Sequence, residues 1–318
     1  MKKVLSIIII MLMVSGFCAG FSVVAAGDFV VDGTVLVEYV GNDEHVVIPD
    51  GITEVGEGAF YANYSLKSIS IPSSVTTIGN LAFLSCSSLS SVNIPNTVTE
   101  IGDGAFSYCT SLTGINVSAD NANYSSVGGV LFNKDETELV NYPAGKTASA
   151  YAIPNGVKVI GFGAFAGCTS IESVSMPSSV ATIGDSTFNG CYALEAVNIP
   201  SGVKVIGDGT FAHCVSLMSV YIPISVEEIG SYAFGFSDVT TFTVIKGSYA
   251  HEWAIQNKQP FVLSTAFSFE NIYDVLEFLK LIANEKTFST EQIDFADFVR
   301  DGKLNSADAL AILKTVVA

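Results

Sequence analysis

Five cysteines, Cys86, Cys109, Cys168, Cys191 and Cys214, recur 23 residues apart, or 59 apart where an insertion intervenes. Thiols placed so regularly have three uses: disulfides, metal ligation or filling a core. Equivalent residues of stacked units lie roughly 5 Å apart, within bridging reach, yet their Cβ vectors run nearly parallel and suit a disulfide poorly. Asn63 and Ser237 hold the same place in the first and last units, which favours a column of small buried side chains. No CxxC pair is present, and His45, His213 and His251 show no ligand spacing with cysteines or carboxylates. G-x-S-x-G, P-loop and strand–helix G-x-G-x-x-G patterns are absent, so the chain is not expected to be an enzyme. One acidic set does have ligand spacing. Asp297, Asp301 and Asp308 stand at places 1, 5 and 12 of a loop with Gly302 at place 6, and Lys303 offers its carbonyl at place 7. That is the oxygen spacing of a calcium loop, but Val299 at place 3 removes one ligand. One weakly held Ca2+ or a plain connector both fit this loop.

The cysteines are positioned by a repeat of 23 residues. Six full copies begin at Ile48, Ile71, Ile94, Ile153, Met176 and Ile199, and a seventh, one residue short near Asp238, begins at Ile222. Each reads roughly I-P-x-x-V-x-x-I-G-x-x-A/T-F-x-x-C-x-x-L-x-x-V-x. A fixed period of this length implies a solenoid, because one unit cannot bury its apolar face without a neighbour. Leu89, Val92 and Ile94 point inward while Ser91 and Asn93 alternate outward, a short strand of period two. Pro72 or Pro95 follows the strand, where an amide donor is no longer needed. Val75 and Ile78 turn back inside. Gly79 is expected to allow a tight turn, and Phe83 to pack its ring beneath it. The Gly and Phe places recur at Gly56/Phe60, Gly102/Phe106, Gly161/Phe165, Gly184/Phe188, Gly207/Phe211 and Gly230/Phe234.

This frame, covering about 200 of 318 residues, resembles the BspA-like leucine-rich repeats of bacterial surface and secreted proteins. The expected fold is a β-rich leucine-rich-repeat solenoid of 23-residue units, their strands in a single parallel sheet, with a small C-terminal α-helical module. Residues 28–47 read as a hairpin cap, 48–244 as the repeats, 117–152 as a hairpin insert and 245–263 as a C-terminal cap.

From 264 to 318 glycine and proline nearly vanish and helical spacing begins. Asp274–Lys280 and Asp308–Lys314 form a second internal repeat offset by 34 residues, the later copy preceded by the acidic loop. These two halves, joined near Phe288–Ile293, resemble a degenerate type I dockerin module. The resemblance implies helices near 271–283 and 306–317, packed through Leu276, Leu279, Leu310 and Leu313. It also implies docking onto a cohesin-bearing scaffold, with Ser306, Ala307 and Lys314 facing the cohesin. The earlier half has no recognisable loop, so a helical pair without metal sites is the alternative.

The N-terminus reads as a secretion signal within residues 1–26. Lys2 and Lys3 precede an apolar stretch from Val4 to Phe17, and Val24-Ala25-Ala26 offers a cleavage site, with an uncleaved anchor as the rival. No other stretch is long and apolar enough to span a membrane, so a monomer that is secreted, or held at a bacterial cell surface, is expected. With 31 acidic and 14 basic residues the net charge is −17, and no basic cluster stands out, which argues against nucleic-acid binding.

The binding surface is then sought among outward strand places on the concave face. One column holds Ser70, Asn93, Asn116, Ser175, Asn198, Tyr221 and Thr243; a second holds Ser68, Ser91, Gly114, Ser173, Ala196, Ser219 and Thr241. Small polar residues there either avoid crowding or grip a protein or glycan ligand, with Tyr221 as its anchor. Two roles follow: a non-catalytic interaction or adhesion protein, or an accessory component of a polysaccharide-degrading, cellulosome-like assembly.

Overall fold

The computed structural model describes residues 23–237 and 241–264. The expected signal segment before Val23 and the dockerin-like module after Ser264 lie outside the described residues. The rest is a parallel β-solenoid falling into two compact units. The first comprises the described residues through 148 with 161–170 and 187–191, and the second 149–160, 171–186 and those from 192 onward.

In the first unit the outward-alternating strands His45–Val47, Ser68–Ser70, Ser91–Ile94 and Gly114–Val117 form one parallel sheet. Their inward residues Val46, Ile69, Val92 and Ile115 are buried, as period-two patterning requires. A second ladder, which the single expected sheet leaves out, runs along the two-residue strands Glu54–Val55, Thr77–Ile78 and Glu100–Ile101. Two residues are too few to show alternation in the sequence, and Val75 and Ile78 read only as inward contacts. The antiparallel strands Phe29–Asp32 and Val35–Tyr39 join this ladder through Val35 and Leu36, paired in parallel with Glu54 and Val55. In the second unit Ala150–Ala152, Ser173–Ser175, Ala196–Asn198, Ser219–Ile222, Thr241–Val244 and Phe261–Leu263 make the sheet, beside a ladder of two-residue strands from Val159 to Ile229. The helix Tyr249–Gln256 is capped by the Ser248 hydroxyl, which accepts the His251 N–H.

Phenylalanine rings fill the centre of each coil. In the first unit Phe60, Phe83 and Phe106 stack at 5.0 and 5.4 Å between centroids, their planes within 13°. Phe165 and Phe188 stack at 5.0 Å. In the second unit Phe211 and Phe234 stack at 5.4 Å. All but Phe234 among these are almost completely buried. The non-repeating segments supply rings to the same column. Tyr39 lies 5.3 Å from Phe60, Tyr142 of the insert 5.0 Å from Phe165, and Trp253 of the helix 5.8 Å from Phe234.

Gly79 does not serve the tight turn expected of it. Its backbone carries no positive φ; a Cβ there would come within 2.8 Å of Glu57 N and Gly56 C in the preceding coil. The same clash with the coil below holds at Gly230, where Asp208 N lies 2.7 Å away. Glycine at this place permits close coil-to-coil approach. The left-handed turns sit elsewhere, two before each Phe and one before each Cys or, in the last coil, Ser237, at places such as Leu81 (φ 55°), Tyr108 (59°), His213 (59°) and Phe236 (61°). Bulky residues in that region are strained by about 1–3 kcal/mol each, and the surrounding ladder holds them there.

Phe106→Ala is expected to cost about 3–5 kcal/mol, since the ring is enclosed and its loss leaves a cavity. Thermal unfolding of wild type and variant measures this, and near-identical melting would show that the ring column does not hold the coils together.

Candidate functional site

The outward strand columns form as the sequence alternation requires, each unit carrying its own part. In the first unit Ser70, Asn93 and Asn116 are exposed and in register, Asn116 opposite Asn93. The Asn116 Nδ2 donates to Asn93 Oδ1 at 3.1 Å. The second column places Ser68 against Ser91 and Ser91 against Gly114. The structure adds two residues that precede the first full repeat. Val47 pairs with Ser70 and is 68% exposed, and His45 pairs with Ser68, its Nδ1 2.7 Å from the Ser68 hydroxyl. Both lie in the segment read as a hairpin cap, so the repeat count missed them.

In the second unit Ser175 and Asn198 are exposed, while Tyr221 and Thr243 are half-buried. Asn198 stands opposite Tyr221, and Tyr221 opposite Thr243, in the parallel register. Val262 of the last strand continues the column beside Thr243 and is 52% exposed. Each strip bears hydroxyls and amides with valine at an end, and the seven column residues carry no formal charge. Such a surface can bind by hydrogen bonds and shape.

Four of the five cysteines have a role beyond filling space, while the Cys214 Sγ lies 4.0 Å from the Ala212 carbonyl of its own coil. The Sγ of Cys86, Cys109 and Cys191 donates to the carbonyl of Phe60, Phe83 and Phe165 at 3.1, 3.1 and 3.2 Å, and Cys168 approaches the Tyr142 carbonyl at 3.7 Å. In the second unit the Ser237 hydroxyl makes the same bond to the Phe211 carbonyl at 2.9 Å. The shared demand is therefore a small donor aimed at the aromatic residue's carbonyl one coil back. Cysteine and serine both meet it, which explains their interchange at this place. None of the five cysteines is in a disulfide. Burial pushes the Cys86 thiol up to about 12 and those of Cys109 and Cys191 well above the usual thiol range.

The histidines also serve packing. His213 stacks on Phe236 at 4.5 Å, and His251 Nδ1 accepts the Gly247 N–H at 3.1 Å. Among the described residues no group of three or more His, Cys, Asp or Glu could hold a metal ion. Asp297, Asp301, Lys303 and Asp308, and the cohesin-facing Ser306, Ala307 and Lys314, lie outside the described residues. A cavity of about 170 Å³ is lined by Asp103, Tyr124, Asn133 and Glu138 among others. Burial, and secondarily the Asp103 charge, holds the Glu138 carboxyl above its ordinary range. The Tyr124 hydroxyl accepts the Ile101 N–H at 2.8 Å, so one wall of this cavity is occupied by structure.

A model of the BspA-type leucine-rich repeat region, in six copies, matches residues 38–152 and 144–259. The chain is 34% identical to a leucine-rich cell surface protein from Faecalibacterium prausnitzii A2-165 of known crystal structure, with a TM-score of 0.55. That match covers 67% of this chain and 62% of the other, so the chain spans less than two thirds of the relative. A leucine-rich repeat protein from Eubacterium ventriosum is 20% identical, with a TM-score of 0.43, over 66% of this chain and 84% of that one. The pneumococcal vaccine antigen PcpA is 21% identical, with a TM-score of 0.46, over 70% and 68%. Comparison with the curated proteins gives no match. Among the described residues no helix is long and apolar enough to cross a membrane.

Native protein treated with iodoacetamide at about pH 8 should leave the five repeat thiols unmodified, because all five are buried and out of reach. Unfolding without reductant should expose all five, read by mass spectrometry. A linked Cys86–Cys109 or Cys191–Cys214 peptide from native protein would overturn the donor role.

Proposed function

Because the chain belongs to the BspA-type leucine-rich repeat family, we propose that it is a non-catalytic interaction protein of the bacterial cell surface or secreted space. It binds a protein ligand through the outward strand columns. The observation that carries this reading is the register of Ser70, Asn93 and Asn116, exposed side by side on one parallel sheet with Val47 at its end. A rigid ladder of amides and hydroxyls presents hydrogen-bonding groups at fixed spacing without ordering any loop, so little conformational entropy is lost on binding. The leader-like N-terminus supports export, and the surface location named for the Faecalibacterium relative supports the same destination.

An Asn93→Lys/Asn116→Lys double variant tests the face. Wild-type protein, immobilised and incubated with solubilised surface proteins of neighbouring cells, should retain a defined partner. The variant should lose at least roughly tenfold in affinity for it while remaining folded, with melting lowered only slightly by loss of the Asn93–Asn116 bond and the facing like charges. Undiminished capture by the variant would move the function off this face.

A second reading follows from the carboxylate spacing at Asp297, Asp301 and Asp308. In it the C-terminal residues form a dockerin-like module that binds one weak Ca2+, with Lys303 giving its carbonyl. Ser306, Ala307 and Lys314 meet a cohesin, and the protein joins a polysaccharide-degrading assembly. Calorimetry with calcium on the full chain should show affinity near the millimolar end of such sites, since Val299 supplies no oxygen. No heat and no stabilisation at about 10 mM calcium, where a millimolar site is largely filled, would leave the loop as a connector.

A further inference from the structure

We propose that the cleft between residues 38–42 and 61–65 is a binding site for a neutral saccharide, separate from the strand face. The cleft has a volume of about 460 Å³, within the roughly 300–1,000 Å³ of small-ligand sites. It is lined by Glu38, Tyr39, Asn42, Tyr61, Asn63 and Tyr64. Tyr61 and Tyr64 are 63% and 64% exposed.

The repeat does not ask for rings at these two places. After Phe83 and Phe106 the residue matching Tyr61 is Leu84 or Ser107, and after Cys86 and Cys109 the residue matching Tyr64 is Ser87 or Thr110; a ring recurs at the second place in Tyr192, but there the first place is Asn189, so the pair of rings is peculiar to this coil. The coil therefore closes without the two tyrosines, and their apolar faces stand in water without contributing to the core. Large exposed rings beside a concavity mark a binding site more often than a packing need.

The cleft is also built rigidly. The Tyr39 ring lies between Phe29 and Phe60 at 5.0 and 5.3 Å, and its hydroxyl donates to Asp43 at 3.0 Å. Asn63 Oδ1 accepts the N–H groups of Ser65 and Leu66, both at 3.2 Å, while its Nδ2 donates to the Gly41 carbonyl at 3.4 Å. That amide fixes one wall to the other. The Tyr64 carbonyl accepts the Ser88 hydroxyl at 2.6 Å, and the Tyr61 N–H donates to Gly58, so both tyrosines have fixed backbones. Only their rings remain to be placed by a ligand.

The chemistry selects the ligand class. An aromatic face binds the polarised C–H groups on one side of a pyranose ring, and a carboxylate and amides bind the hydroxyls around its rim. Glu38 and Asn42 supply those groups here. The local charge excludes an acidic sugar: Glu38, Asp43 and Glu44 cluster at this end, and Lys67 is already paired with Glu44 at 2.8 Å. A flat protein epitope would leave the concavity unfilled, whereas a sugar ring can enter it.

The test uses the full secreted chain and isothermal titration with cello-, manno- and chito-oligosaccharides, with a sialylated oligosaccharide as the anionic control. At least one neutral oligosaccharide should bind, and Tyr61→Ala/Tyr64→Ala should weaken it by roughly tenfold or more. Melting should be unchanged because both rings are exposed, and Asn93→Lys/Asn116→Lys should leave the saccharide affinity intact. That last variant separates this site from the strand face, whichever of the two fails. Absence of binding by every neutral oligosaccharide at about 10 mM, stronger binding of the sialylated one, or affinity indifferent to loss of both rings would each overturn the proposal. Loss of a captured protein partner in the tyrosine variant, with no saccharide bound, would reassign the cleft to protein recognition and overturn it equally.

Discussion

In four of the repeat coils the amide of the central aromatic residue donates to the carbonyl just before the next coil's aromatic residue. Phe60 donates to Ala82, Phe83 to Ala105 and Phe165 to Thr187, all at 2.8 Å, and Phe211 to Ala233 at 2.7 Å. A buried amide without a partner costs about as much as a lost hydrogen bond, so this donor must find its acceptor. The coil beneath can supply it only at one height and one rotation. That requirement fixes the 23-residue spacing, brings the rings to stacking distance, and leaves no room for a Cβ at Gly79. It also aims the thiol of the next coil at the remaining lone pair of the aromatic residue's carbonyl, as Cys109 shows at Phe83.

Segments that do not follow the repeat satisfy the same constraint. Tyr39 donates to Ala59 and Tyr142 to Ala164, each at 2.8 Å, so both stand in the place of a repeat phenylalanine. The insert is thus a coil of the first unit with an antiparallel meander, Tyr124–Val127, Val130–Asn133 and Glu138–Asn141, built into it. Asn121 manages the transition. It occupies the place of a buried valine, with Nδ2 donating to Pro95 and Val98 and Oδ1 accepting from Asn123 and Tyr124. One amide answers four backbone groups where the regular ladder stops; a purely apolar residue would remove these bonds, leaving only the Pro95 carbonyl with another donor, the Val98 N–H.

A frame held by its backbone leaves side chains outside the coil free to vary. The strand columns use that freedom for small polar groups, and the first full repeat uses it for two exposed tyrosines. Both surfaces gain from rigidity, since a ligand meets groups whose backbone is already ordered. The absence of charge on the columns fits a protein of net charge −17, whose acids among the described residues lie mainly in turns and loops. The binding faces then do not depend on overcoming that repulsion.

The sequence by itself determined whatever recurs. The period, the buried Val, Ile, Leu and Phe places, the cysteine column and the alternation that turns Ser70, Asn93 and Asn116 outward are all legible, because each coil meets a near-copy of itself and repeats the same contact. Tertiary structure decided whatever depends on distance between places that do not share a pattern. Tyr39 and Tyr142 carry no repeat signature around them, yet the amide ladder seats them in the ring column. Gly79 looks like a turn residue in the sequence, while its neighbour across the coil shows the need to be close approach. The cysteines read as small apolar side chains until the Phe60 and Phe83 carbonyls are seen facing them. The tyrosine cleft joins residues 38–42 to 61–65, and only the folding of the first hairpin onto the first coil brings them together. Periodic contacts are written once per repeat and can be counted along the chain; a single contact between unlike segments leaves no such trace.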